Sequence, residues 1–199
     1  MVTHYIQCLE KVLKPFTCKS PYQGLIRSQT FHKNRINLLQ KIKDPLGEFQ
    51  KDFIHLKEKK IAEIERNLSQ LLGFGLGSTP ESDDIFIGIL VAKFCLNEDI
   101  DETCKYLSLF PFERFTTPKS TQLIRKILTR NFPPEIIPLI ELLKNQEEDN
   151  QLIDQFELEV RKIRALGASS GYYFLLGVLW ELKNYQKGAV PTPRRITLC

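Results

Sequence analysis

Two adjacent carboxylates, Asp83 and Asp84, close the stretch GFGLGSTPESDD at 73–84. Such groups can hold a cation, accept a hydrogen bond from a ligand hydroxyl or amine, or complement a helix N-terminus. Ahead of them, Gly73, Gly75 and Gly77 permit positive φ and close approach of a ligand to the backbone. Thr79 and Ser82 add hydroxyls, and Pro80 fixes the turn and pre-sets a helix start. Neighbours on a helix point about 100° apart, so the two carboxylates can hardly serve one ligand atom. One is expected to cap or bind and the other to support it. The plain alternative is a segment that only ends one helix and begins the next. The stretch lacks the Gly-Lys-Ser/Thr ending of a P-loop, and its glycine spacing is not that of a dinucleotide fold.

Two further small-residue turns stand before apolar segments. One holds Thr116, Thr117 and Ser120; the other holds Ser169, Ser170 and Gly171. Each reads either as helix capping or as a source of ligand-facing hydroxyls. The aromatic residues Tyr172, Tyr173, Phe174 and Trp180 read as packing.

Helices must position these turns. KEKKIAEIERNLSQLLG puts Ile61, Ile64, Leu68, Leu71 and Leu72 at helical spacing, with Gly73 where a C-cap belongs. The nearly continuous apolar run 83–97 predicts a buried helix with Asp83 or Asp84 at its N-cap or first turn. Residues 169–188 predict a second buried helix. Between them the pattern predicts helices near 99–110, 118–131, 133–145 and 147–167, and another at 3–14. Strands are expected near 24–31 and 34–42, with a third candidate at 48–56, from mixed β-branched and aromatic residues. The expected fold is therefore α+β, mainly α. A small β-containing portion at 1–56 packs on a helical domain at 57–199, the two forming one compact unit.

Composition narrows the function classes. Of 199 residues, 42% are apolar and 26% charged, which suits one globular domain with a real core. A net charge of +4, with the basic run HLKEKK interleaved by acids, falls short of a nucleic-acid signature. No apolar run reaches the roughly 18–20 residues of a membrane span. The N-terminus is amphipathic, with no secretory signal. The odd count of five cysteines without CxxC spacing predicts reduced thiols in a cytoplasmic protein, and neither a metal site nor a cofactor is expected. A Cys–His nucleophilic pair has no local motif behind it and stays open.

Order and spacing of the three turns are similar to those of a bacterial family that includes the AllH subunit of oxamate carbamoyltransferase. The family pattern GLGPGLTPSGDD running into FLAGLL matches GFGLGSTPESDDIFIGIL here; a Thr-Thr-x-x-Ser segment matches TTPKS at 116–120; and GHSSGxD running into LLxGLL matches GASSGYYFLLGVL at 167–179. The resemblance covers about residues 70–183. It implies a compact N-terminal β portion on a helical domain, and a role in carbamoyl transfer within purine and allantoin nitrogen metabolism as one subunit among several. It further implies a small anionic metabolite held at two helix N-termini. Self-association is left open. The positions carried over as ligand-binding are Gly73, Gly75, Gly77, Thr79, Pro80, Asp83, Asp84, Thr116, Thr117, Ser120, Ser169, Ser170 and Gly171; none carries an assigned catalytic role. The departures are Glu81-Ser82 for Ser-Gly, Ala168 for His and Tyr173 for Asp. They leave a second expectation: a diverged, catalytically inactive homologue acting in assembly, regulation or small-molecule sensing.

Overall fold

A computed structural model of the chain describes residues 1–13, 61–96, 100–145 and 149–188. The elements are α1 (Val2–Leu13), α2 (Ile61–Leu71), α3 (Glu81–Cys95), α4 (Asp101–Leu109), α5 (Pro118–Leu128), α6 (Ile137–Lys144), α7 (Asn150–Arg164) and α8 (Ser170–Gly188). Short 3₁₀ turns at Phe112–Arg114 and Pro134–Ile136 precede α5 and α6. Among the described residues there is no strand, so the fold is all-α, which corrects the α+β expectation. The strands expected at 24–31, 34–42 and 48–56 lie outside the described residues.

The centre of the molecule is the pair α3 and α8. Every residue of α3 from Glu81 to Cys95 is buried, as its all-round apolar sequence demands. The two backbones touch. A Cβ on Gly88 would collide with the Phe174 carbonyl, and one on Gly177 with the Ile85 carbonyl. Glycines at these two facing positions let the helices approach more closely than side chains would allow. One turn further along, Lys93 Nζ and Glu181 Oε1 form an ion pair at 2.8 Å, with both side chains nearly inaccessible.

Other helices wrap this pair. α5 and α6 lie against α3, while α1 and α7 lie against α8. α1 is helical because Tyr5, Ile6, Leu9, Val12 and Leu13 recur on one face, and all five are buried. The Tyr5 ring stacks on Phe156 with centroids 4.1 Å apart, and its hydroxyl donates to the Leu142 carbonyl at 2.9 Å. One residue thus fastens α1 to both α7 and α6. The apolar side chains of α1 share one hydrophobic cluster with those of α3, α7 and α8.

Candidate functional site

The glycine-rich turn is built by the helix that follows it. Beyond α2, Gly73 adopts φ 79°, the left-handed conformation of a C-terminal helix stop. The chain then folds back over the first turn of α3. There, three successive side chains take three loop amides. The Gly73 N–H donates to Asp83 Oδ1 at 2.8 Å, the Phe74 N–H to Ser82 Oγ at 2.9 Å, and the Leu76 N–H to Glu81 Oε2 at 2.6 Å. The Ser82 N–H returns a bond to the Phe74 carbonyl at 3.0 Å. Gly75, at φ 131°, passes so close to Glu81 that a Cβ there would overlap its carboxylate. Gly75 is needed because the loop lies directly on its own helix there, whereas a Cβ on Gly73 would meet the Phe115 carbonyl.

The other two turns dock on this one. Thr117 is the N-cap of α5, its Oγ1 accepting the Ser120 N–H at 3.2 Å, and its hydroxyl also donates to the Ser78 carbonyl. The Thr116 hydroxyl donates to Asp83 Oδ2. Lys119 Nζ reaches Ser78 Oγ at 3.4 Å. From the opposite side, Thr79 Oγ1 lies 3.0 Å from Ser170 Oγ at the start of α8. Segments far apart in sequence therefore meet around residues 78–84.

The adjacent carboxylates divide their work as their helical angle requires. Asp83 directs both oxygens to the turns. Asp84, only 5% exposed, keeps Oδ2 buried with no hydrogen-bond partner among the described residues. Burial pushes the Asp84 carboxyl up to about 7. The neighbouring Ser170 hydroxyl opposes that rise, the negative charges of Asp83 and Glu81 add to it, and the Lys119 ammonium opposes it.

Against this geometry, the family model described as oxamate carbamoyltransferase subunit AllH matches residues 71–182. The chain belongs to the AllH family. It is thereby related to a subunit of a carbamoyltransferase complex. The AllH match starts at the last residue of α2 and ends within α8, so it takes in all three turns and the α3–α8 pair. No curated protein and no solved structure matches the chain.

Within this AllH-family chain, the candidate positions are not equivalent. Thr79, Asp83, Asp84, Thr116, Thr117 and Ser170 gather at the joint. Pro80 sits buried at the N-cap of α3. Ser120 is fully buried, and its Oγ has no partner among the described residues; the same holds for Thr121 Oγ1 beside it. Gly77 is exposed, with open space where a Cβ would stand. The Ser169 carbonyl accepts from the Tyr173 N–H at 3.1 Å within the first turn of α8. Gly171 faces inward, because a Cβ there would strike the Ile163 carbonyl of α7. Tyr173 is 1% exposed and packs in the core, while Ala168 is exposed.

Two residues of the joint have no assigned role in the sequence reading. Glu81, there only a departure from the family pattern, folds its carboxylate back to hold the Leu76 amide. A Glu at the first helical position after a glycine turn is the signal that could have marked it. Lys119 was not singled out at all; a cation directly after Thr-Thr-Pro was its only trace.

None of the described thiols is among the groups that meet at the joint. Cys95 is buried and its pKa is pushed up to about 12, chiefly by desolvation. Burial likewise pushes Cys8 and Cys104 up to about 11. Such thiols stay protonated near neutrality and are poor nucleophiles. Cys18, Cys199, His32 and His55 lie outside the described residues, as does any pairing among them. Among the described residues no three His, Cys, Asp or Glu side chains converge as a metal site, and no helix is long and apolar enough to cross a membrane.

Proposed function

We propose that this chain works as a subunit of a carbamoyltransferase-type complex. In this reading it holds a small anionic metabolite, of the oxamate or carbamoyl phosphate kind, where the starts of α3 and α8 meet. The observation that carries the reading is the buried Asp84 Oδ2 beside Ser170, which has no partner among the described residues. A buried polar atom without a partner costs about 1–3 kcal/mol, and native structures retain few of them. A ligand N–H or O–H would satisfy it. With its pKa near 7, the Asp84 carboxyl can accept from an amide N–H when ionised and donate to an amide oxygen when protonated. Thr79 and Ser170 supply hydroxyls of either sense. Gly73 gives its amide to Asp83, so in this reading side chains rather than the glycine-loop amides contact the metabolite.

The test is a thermal-denaturation series of the full chain with oxamate, carbamoyl phosphate and Mg²⁺. Ligand binding to the folded state raises the midpoint by mass action, on the order of 5 °C at a hundredfold excess over Kd. The rise should appear with the two metabolites and vanish in Asp84→Asn. A second reading, a catalytically inactive partner in assembly or regulation, is favoured by Tyr173. It fills core space where the family pattern has a carboxylate. A flat response to every compound supports that reading instead.

A further inference from the structure

Lys119 stands at the first turn of α5, on the rim of the same joint. Its ammonium makes one long hydrogen bond, 3.4 Å to Ser78 Oγ, and no ion pair among the described residues. It is nevertheless the nearby cation whose charge is felt at Asp84. Among the described residues no carboxylate forms an ion pair with it. The first-turn acids do not need it, because Glu81 and Asp83 are already bonded to loop amides and to Thr116. A further fact concerns polarity. The start of α3 carries Glu81, Asp83 and Asp84, so its own side chains oppose an anion at that helix end. α5 has no acid in its first turn, and Lys119 stands there.

Resting on the reading of a metabolite at this joint, we infer that Lys119 reads the anionic end of that metabolite while Asp84 reads its N–H end. The site is then bipolar and selects compounds with a primary amide at one end and a carboxylate or phosphate at the other. Oxamate has both ends. Oxamide has two amides and no charge, and oxalate has two carboxylates and no N–H. The three compounds are nearly equal in size, so they separate charge from shape.

The experiment is titration calorimetry of the full chain with each compound, at matched ionic strength and pH 7.5. The wild type should bind oxamate best. A charge-assisted hydrogen bond is worth enough that Lys119→Met should weaken oxamate by about tenfold and erase its advantage over oxamide. Lys119→Arg should keep the advantage. Asp84→Asn should instead erase the advantage of oxamate over oxalate. Oxamate affinity should fall with added salt in the wild type and fall less in Lys119→Met. Lys119 is exposed, so its variants are expected to fold; far-UV circular dichroism checks this. If Lys119→Met binds oxamate as the wild type does, the inference is overturned and the proposed site survives. If the wild type binds none of the three compounds, the site itself falls and the inference with it.

Discussion

The hydroxyls of Thr79 and Ser170 lie 3.0 Å apart across 91 residues of chain, and they join the turns that start the two most buried helices. This bond holds the first and second turns in one register. Both Thr79→Val and Ser170→Ala remove this interaction, so the effects should not add. Thr79→Val should cost about 1 kcal/mol, a fall of roughly 2–4 °C in Tm for a chain of this size, and Ser170→Ala more, because its hydroxyl also bonds the Asp84 carboxyl. The double variant should cost little more than Ser170→Ala alone. Strict additivity in urea denaturation would mean that the two hydroxyls do not interact in solution.

Asp83 and Asp84 should respond oppositely to neutralisation. Asp83 accepts from the Gly73 amide and from the Thr116 hydroxyl, and Asp83→Ala leaves both without a partner. A loss of about 2–4 kcal/mol is expected, because each donor left unmade costs about 1–3 kcal/mol when fully buried and both are only part-buried. Asp84→Asn removes a carboxyl whose ionisation burial already disfavours, so at pH 8 it should be neutral or stabilising. Equal losses from the two changes would contradict this division of roles.

The pH dependence of Asp84 has a definite sign. Its folded pKa, about 7, lies above the ordinary value of 3.8, so between these values the folded state holds a proton that the unfolded state has released. Stability from this group is full below the unfolded value and is lost as pH rises through the folded one. The wild type should therefore lose stability relative to Asp84→Asn between pH 4 and 7, then run parallel to it. Denaturant midpoints of both proteins at five pH values between 4 and 9 check this. A difference that stays constant across the range would refute the raised pKa.

Helix existence was legible because its signals are redundant. α3 and α8 each combine an apolar run too long for a strand with a small-residue turn at the front, and α1 repeats apolar residues at the helical period. Fold class was misjudged where the signal was thin. The strand expectation rested on β-branched and aromatic residues in short windows, a context-dependent signal, and those windows lie outside the described residues. At the site, residue types were readable but their directions were not. The sequence shows Asp83 and Asp84 as equivalent neighbours; only the fold turns one into the loop and leaves one oxygen of the other buried with no partner among the described residues. For Glu81, too, the residue type is readable but not that its carboxylate returns to Leu76.

The Lys93–Glu181 ion pair ties α3 to α8 below the joint. Removing one partner takes the opposite charge from a buried group, so Lys93→Met should destabilise by about 3–5 kcal/mol. Converting both, Lys93→Met with Glu181→Leu, should recover most of that loss, because a well-packed apolar pair is often as stable as a buried ionic one. If the double variant is as unstable as the single, the pair supports more than its own charges. Guanidinium denaturation at pH 7 distinguishes the outcomes.

Gly88 and Gly77 test whether close helix approach, rather than backbone freedom, is what the central pair needs. In an ordinary helix interior, Gly→Ala stabilises by about 1 kcal/mol. At Gly88 the added Cβ meets the Phe174 carbonyl, a backbone atom that cannot swing aside. Gly88→Ala should therefore destabilise, by about 1–3 kcal/mol as in other overpacked cores. Gly77→Ala meets no atom, but φ 96° disfavours an L side chain, so a cost of about 1–2 kcal/mol of local strain is expected there. The two losses differ in reach. Strain at Gly77 stays in an exposed loop and should leave the 3.0 Å Thr79–Ser170 bond in place. Forcing α3 from α8 at Gly88 should also move Thr79 from Ser170 and abolish the oxamate-dependent rise in Tm. A Gly88→Ala protein that is destabilised yet still responds to oxamate would show that the ligand site does not depend on the helix crossing.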